Sequence, residues 1–200
     1  TPPESRMPVK TYLSQWENSL IREACQREIN RGGQILFVHN RIKDINNIAE
    51  NIRKIIPTIS IGIAHGQMKE KALEKIMMQF YSNQFDLLLA TSIIESGLDI
   101  PNANTIIINK ADRFGLAQLH QLRGRVGRSE RQSYAYLLIH PKHQLTPQGE
   151  KRLQAIEAIE DLGVGFILAT HDLEIRGAGE ILGDEQSGQI QKIGFTLYKD

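Results

Sequence analysis

Five short apolar runs, almost without polar interruption, recur along the chain. They are QILFVH (34–39), SIGIA (60–64), DLLLA (86–90), NTIIIN (104–109) and SYAYLLI (133–139). Runs that do not alternate between apolar and polar residues predict strands buried on both faces, as in a parallel sheet. This feature limits the fold more than any other in the sequence.

The segments between these runs have helical periodicity. Apolar residues recur three or four apart over 42–56 and 73–80, and an earlier helix is predicted over 17–31, ending at Gly32-Gly33. Alternating strands and helices predict an α/β fold with a doubly wound parallel sheet. Ligands of such sheets bind beyond the carboxyl ends of the strands, here after residues 39, 64, 90 and 109.

Composition restricts the class of protein. The 200 residues suit one domain with an appendage, and 24 Lys and Arg against 23 Asp and Glu leave a net charge of +1. Any binding to nucleic acid must therefore use local patches. Cys25 is the only cysteine, which excludes an internal disulfide and a multi-cysteine zinc site and fits a cytoplasmic location. No transmembrane helix or signal peptide is expected, and the absence of an initiating Met suggests a fragment or a processed chain.

The chain divides into three parts. Residues 1–33 form a lead-in segment and a helix, and residues 34–141 form the α/β lobe. After the turn-rich break at PKHQLTPQG, residues 142–200 are predicted to form a helical hairpin and a glycine-rich tail.

The strongest local motif is GRVGR at residues 124–128. Arg125 and Arg128 each follow a glycine, and guanidinium groups grip phosphate oxygens well. No Gly-Lys pair of a phosphate-binding loop occurs in the chain, so the phosphate would have to be held elsewhere. The alternative is a solvated basic turn.

Polar residues at three strand ends are further candidates. Thr91 begins TSIIESGLDIP, and this segment taken alone is better explained as a helix start capped by Thr91 or Ser92 and completed by Glu95. Asn40, His65 and Gly66 follow two other strands, with ordinary loop residues as the alternative. His65 lacks partners at a suitable spacing, so no metal site is predicted.

These motifs together resemble the superfamily-two helicases and translocases. LLLATSIIESGLDIPNANTIII is similar to motif V, QLHQLRGRVGR to motif VI, QILFVHN to motif IV and HGQM to the segment after it. The resemblance implies the second RecA-like lobe of a two-lobe motor. The first lobe would hold ATP and Mg²⁺, so this chain alone is not expected to hydrolyse ATP.

The resemblance also implies roles for individual residues. The arginines Arg125 and Arg128 would reach the nucleotide across the cleft between lobes, with Gln121, Gly97 and Asp99 as further nucleotide-binding residues. The implied contacts with the DNA backbone are Asn40, His65, Gly66 and Thr91.

A narrower resemblance covers KRLQAIEAIEDLGVGFILATHDLEIRGAGEILGDEQSG. This segment is similar to the helical hairpin and loop, called the TRG motif, that the RecG and transcription-repair coupling families of double-stranded DNA translocases share. Arg176 would couple nucleotide state to DNA movement there. The short connection from QILFVHN to HGQM favours the coupling family, which implies RNA polymerase and excision-repair proteins as partners. A RecG-type fork-remodelling enzyme and a non-catalytic binding module remain alternatives.

Overall fold

Six strands form one parallel sheet in the computed structural model, which describes residues 9–91, 100, 102–126, 130–141 and 144–158. The strands are β1 (Lys10–Ser14), β2 (Gln34–Val38), β3 (Ile61–Ala64), β4 (Leu87–Ala90), β5 (Ala103–Ile108) and β6 (Tyr134–Leu138). Their order across the sheet is β1-β6-β5-β2-β4-β3, and every neighbouring pair is parallel. All five predicted apolar runs are strands, and β1 is an additional strand that the sequence pattern did not predict.

The burial of the strands follows their position in the sheet. Every residue of β2, β4 and β5, three of the four interior strands, is buried, as expected for strands that are covered on both faces. The edge strand β3 alternates between buried and half-buried residues. Unbroken apolar sequence therefore marks the middle of the sheet.

Within the described residues, five helices cover the two faces of this sheet. They are α1 (Asn18–Asn30), α2 (Ile45–Ile55), α3 (Glu70–Tyr81), α4 (Leu116–Arg123) and α5 (Pro147–Ala158), with short 3-10 turns at Ile42–Asp44 and Ala111–Arg113. Helices α1 and α2 pack on one face, and α3, α4 and α5 contribute to the core on the other. The predicted doubly wound arrangement is confirmed, and so are the helices predicted over 17–31, 42–56 and 73–80.

Each face has its own apolar core. Phe37 of β2 packs with Ile21 and Ile52 on the face covered by α1 and α2. On the other face, Leu36 packs with Phe80 and Leu119. Adjacent residues of one strand thus serve opposite cores, because successive side chains of a strand point to opposite faces. Full burial of one such side chain stabilises the fold by about 1.5–3 kcal/mol.

The end of α1 confirms the predicted stop at Gly32-Gly33. Gly32 has a φ of +82°, and the Gly33 N–H reaches back to the carbonyl oxygen of Glu28 at 2.9 Å. Only glycine adopts such a φ without a steric cost, so this residue can end the helix in a tight turn.

The C-terminal hairpin is described only in part. Its first helix is α5, with Leu153 buried in the core. The second helix, predicted near 166–174, lies outside the described residues. Among the helices within 9–158 that the structure describes, none has the length and apolar character needed to cross a bilayer.

Candidate functional site

Three adjacent strand ends bring together the four residues predicted to contact DNA. Asn40 follows β2 and is exposed, while His65 and Gly66 follow β3 and are half-buried and exposed. Thr91 follows β4 and is buried, and its hydroxyl oxygen has no hydrogen-bond partner among the described residues. Because β2, β4 and β3 are neighbours, these four residues lie side by side at the carboxyl ends of the strands.

The turn after β3 is held by His65 itself. The Gln67 N–H donates to His65 Nδ1 at 3.2 Å, and the Met68 N–H donates to the His65 carbonyl oxygen at 3.2 Å. With Nδ1 as an acceptor, the neutral ring carries its proton on Nε2. The turn therefore fixes both the position and the tautomer of this imidazole.

Beside these residues, the ends of β2, β5 and β6 surround a cleft of about 340 Å³, which we call the β5–β6 cleft. Its lining residues are His39, Asn40, Arg41, Asn109, Lys110, Arg113, Phe114 and His140. Asn40 thus belongs both to the cleft and to the group of predicted DNA contacts. Sequence reasoning indicated the segment after residue 109 but none of the basic residues in it.

A buried hydrogen-bond relay supports one wall of the cleft. His39 is 1% exposed; its Nε2 donates to Asp44 Oδ1 at 2.7 Å, and its Nδ1 accepts from Asn109 Nδ2 at 3.0 Å. Asn109 Oδ1 in turn accepts the Lys110 N–H at 3.1 Å. Since Asn109 directs its oxygen at Lys110 and its amide nitrogen at His39, the Nδ1 of His39 accepts and its Nε2 donates to Asp44.

The carboxylate at the end of this relay is kept ionised. Burial of Asp44 raises the pKa of its carboxyl group, but the hydrogen bond and electrostatic interaction with His39, followed by the charges of Arg41 and Lys110, together lower that pKa below its ordinary value. Asp44 is therefore a permanent acceptor at neutral pH.

A second carboxylate organises the opposite wall. Asp112 is 3% exposed, and its Oδ2 lies 2.8 Å from His140 Nδ1. The backbone N–H of His140 donates to Oδ1 of the same carboxylate at 3.0 Å. Arg113 Nε lies 3.6 Å from Oδ2. Asp112 thus ties the turn after β5 to the end of β6.

Of the predicted nucleotide-facing residues, Gln121 and Arg125 are described, and they lie in the last turn of α4 and just beyond its end. Helix α4 starts after β5. At its end, the buried Arg123 donates a hydrogen bond to Thr11 Oγ1, near the start of β1, at 3.3 Å. Gln121 is exposed on α4, and Arg125 is half-buried just beyond its end, with its N–H bonded to the Leu122 carbonyl at 3.0 Å. The structure therefore separates Arg125 from the predicted DNA contacts by the length of α4.

One histidine lies beside these arginines. Burial lowers the pKa of His120, and the charge of Arg123 adds to that effect. The end of α4 therefore has its positive charge on arginine and not on histidine at neutral pH.

A hydrogen bond joins the segment after GRVGR to the residue that follows α1. Arg131 Nη1 donates to the Arg31 carbonyl oxygen at 2.5 Å. Arg31 forms a two-point ion pair with Glu28, with distances of 2.6 and 2.7 Å, and Thr105 Oγ1 of β5 donates to the same carboxylate at 2.5 Å. Glu28 is fully buried, so the end of α1, β5 and the exit of the motif form one connected unit.

Four predicted site residues lie outside the described residues: Gly97, Asp99, Arg128 and Arg176. Within the part of the chain that is described, no three His, Cys, Asp or Glu side chains form a group that could hold a metal ion.

Comparison with known proteins relates this arrangement to a family. Residues 17–130 match the model of the helicase conserved C-terminal domain. The chain is 54% identical over 200 residues to the transcription-repair-coupling factor of Haemophilus influenzae, matching 100% of this chain and 18% of that protein. It is 55% identical over 201 residues to that of Escherichia coli, matching 100% of this chain and 17% of that protein. The chain thus spans about a fifth of the length of these relatives.

Solved structures agree with the fold. RecG bound to a three-way DNA junction has 31% sequence identity and a TM-score of 0.74, covering 96% of this chain and 26% of that one. The C-terminal domain of the DEAD-box protein Dbp5 has 16% identity and a TM-score of 0.54, covering 78% of this chain and 85% of that one. The second similarity concerns the fold alone.

Proposed function

The chain belongs to the helicase conserved C-terminal domain family, and from that premise we propose that it is the second motor lobe of an ATP-dependent double-stranded DNA translocase. The proposed setting is transcription-coupled repair, in which the whole protein displaces stalled RNA polymerase and recruits excision-repair proteins in the cytoplasm. The observation that carries this proposal is the extent of the similarity to coupling factors, which continues past the family domain to cover the entire chain.

The proposed catalytic residues are Arg125 and Arg128. Each would place its guanidinium against the transferred phosphoryl group of ATP held by another lobe, with Gln121, Gly97 and Asp99 beside the nucleotide. An arginine supplied in this way is typically worth about 10³–10⁵ in rate. The position of Arg125 beyond a helix end that Arg123 ties to β1 supports this role, because a finger needs a rigid base.

ATP and Mg²⁺ would be bound mainly by the first lobe of the motor. On this side of the nucleotide, the side chains of Arg125 and Gln121 are of types that donate hydrogen bonds to phosphate oxygens. Bound Mg²⁺ would neutralise charge on the phosphates, and the arginines would supply the remaining positive charge from this side.

The proposed DNA contacts are Asn40, His65, Gly66 and Thr91. They would touch the phosphate backbone without reading bases, because a motor that travels along DNA must bind every sequence equally. The buried Thr91 hydroxyl supports this assignment: it has no hydrogen-bond partner among the described residues, leaving such a hydroxyl unpaired costs about 1–3 kcal/mol, and a phosphate oxygen would relieve that cost. Arg176 would transmit cleft closure to the hairpin that begins with α5.

The test uses a chimera in which this chain replaces the matching residues of the Escherichia coli coupling factor. We expect the chimera to hydrolyse ATP faster with duplex DNA, and Arg125→Ala to lower that rate by at least about 10³-fold while nucleotide still binds. A matched control is Arg53→Ala, which removes an exposed arginine of α2. Normal hydrolysis by the Arg125 variant would exclude the finger and favour a non-catalytic binding module.

A second candidate is a RecG-type fork-remodelling enzyme, favoured by the similarity to RecG over nearly the whole chain. The chimera separates the two: displacement of stalled RNA polymerase supports the coupling function. A chimera that hydrolyses ATP on duplex DNA but fails to displace polymerase supports the RecG-type function.

A further inference from the structure

We propose that the β5–β6 cleft binds a backbone phosphate of duplex DNA, with Lys110 as its principal ligand and Arg41 and Arg113 beside it. The inference rests on the proposed DNA-binding function and extends it to residues that lie outside the helicase motifs of the sequence. It makes the turn after β5 part of the DNA-binding surface.

The backbone conformation of Lys110 supports this phosphate site. Lys110 has φ 52° and ψ 47°, the left-handed conformation that costs a lysine about 1–2 kcal/mol. Strain of this kind persists where the surroundings enforce it, and it concentrates at binding sites. Here the relay from Asp44 through His39 and Asn109 ends on the Lys110 N–H. Three polar side chains thus fix one strained lysine at the wall of a cleft.

The side chain of Lys110 also supports the phosphate site. Within the described residues, no hydrogen bond or ion pair holds its ammonium group, although its charge acts on Asp44 from a distance. A lysine that is fixed at the backbone and unoccupied at the amine is arranged to bind an anion. A compact ammonium group is a common ligand for phosphate.

The distribution of charge around the cleft favours the binding of an anion. Three cations, Arg41, Lys110 and Arg113, face two carboxylates, those of Asp44 and Asp112. The side chain of Asp112 is 2% exposed whereas that of Arg113 is 61% exposed. Asp44 is 30% exposed and accepts a hydrogen bond from His39. Both carboxylates are therefore already hydrogen-bonded, and Asp112 is buried, whereas Arg41 and Arg113 are exposed.

The position of the cleft indicates which anion it would bind. It includes Asn40 and continues the row of strand ends from β3 through β4 and β2 to β5 and β6. Four steps of about 4.8 Å give this row a length of roughly 19 Å. At about 3.4 Å per base pair, that length corresponds to five or six base pairs of duplex. A continuous phosphate backbone fits this row better than a free anion would.

The test measures duplex affinity of the 200-residue chain by fluorescence anisotropy at several KCl concentrations. The variants are Lys110→Asn, which tolerates the left-handed conformation, and Lys110→Arg, which keeps the charge. The control is Lys54→Asn. This variant removes an exposed lysine near the end of α2, at the opposite ends of the strands from the cleft.

We expect Lys110→Asn to weaken binding roughly threefold to tenfold and to reduce the slope of log K against log salt by about 1. Lys110→Arg should restore the slope, and Lys54→Asn should leave it unchanged. Equal slopes for Lys110→Asn and Lys54→Asn would overturn the phosphate site but not the proposed DNA binding. Absence of salt-dependent duplex binding by the native chain would overturn both.

Discussion

Gly149 of α5 lies so close to Asp112 that a Cβ on residue 149 would come within 3.0 Å of the Asp112 carbonyl oxygen. The same Cβ would lie 3.0 Å from Thr146 Oγ1, which accepts the Gly149 N–H at 3.0 Å. The first turn of the hairpin helix is therefore fitted directly onto the turn that carries Lys110 and Arg113.

This contact predicts that Gly149→Ala lowers stability although alanine favours helices. The gain in helix propensity is about 1 kcal/mol, but crowding in a packed contact costs about 1–3 kcal/mol. Neither neighbour can move freely, because Thr146 caps the helix and Asp112 is bonded to His140. We expect a net loss of about 1 kcal/mol in the free energy of unfolding, measured by urea denaturation.

The matched control is Gly124→Ala, whose added Cβ would come no closer than 3.4 Å to any neighbour. It should be neutral or stabilising. A Gly149→Ala protein as stable as the Gly124→Ala protein would show that α5 shifts without cost.

The burial of Glu28 predicts that two ion pairs of the same spacing contribute differently to stability. Glu28 and Arg31 are three residues apart, as are Glu50 and Arg53, but Glu28 is fully buried whereas the side chain of Glu50 is 63% exposed. Removing the charge of a buried pair leaves its partner uncompensated, so Glu28→Gln should cost about 2–4 kcal/mol. Glu50→Gln should change stability by less than about 1 kcal/mol. Urea denaturation of both variants measures this, and similar values would mean that the buried pair contributes no more than a surface one.

Cys25 predicts a loss of stability at alkaline pH. Burial raises the pKa of its thiol to about 12, with smaller effects from the carboxylates of Asp86 and Glu28. An unfolded cysteine titrates near about 8.5. The folded state therefore holds this proton more tightly, and the resulting stability is fully present below about pH 8.5 and is lost as the pH rises toward 12.

The measurement is the free energy of unfolding between pH 8 and pH 10, compared with that of Cys25→Ala. The native chain should lose about 1–2 kcal/mol more than the variant over this interval. Parallel pH profiles would contradict the buried, protonated thiol.

Lys110 predicts a conflict between stability and binding. Lys110→Gly should raise the free energy of unfolding by about 0.5–1 kcal/mol, because glycine adopts a φ of 52° without strain. Asn83→Gly is the control: Asn83 has a φ of 62°, and asparagine tolerates this conformation better than lysine does. A gain for Asn83→Gly that equals or exceeds that of Lys110→Gly would contradict strain at Lys110.

The sequence pattern predicted the middle of the fold better than its margins. Five strands were predicted because continuous burial leaves a continuous apolar signal, and α1, α2, α3 and the first hairpin helix α5 were predicted from helical patterns. The edge strand β1 reads KTYLS, with too few apolar residues to mark it. Helix α4 was not predicted either, although Leu116, Leu119 and Leu122 are buried at helical spacing.

The candidate site was predictable only where its chemistry is local in sequence. The strand ends carrying Asn40, His65 and Thr91 follow from the topology of a parallel sheet. The relay to Lys110 joins His39 with Asn109, 70 residues apart. No spacing rule connects these two residues, because their contact depends on β2 and β5 being neighbours in the sheet.

The pairing of β1 with β6 has a consequence for the order of folding. Lys10 pairs with Tyr134, so β1 must wait for its partner until the later strand β6 has been synthesised. At about 5–20 residues per second, this delay lasts roughly 6–25 s on the ribosome. During that interval β2, β4, β3 and β5 can assemble around one nucleus, and β1 has no partner. The outer edge of the sheet closes last, which makes it the part of the nascent chain most exposed to mispairing with another molecule.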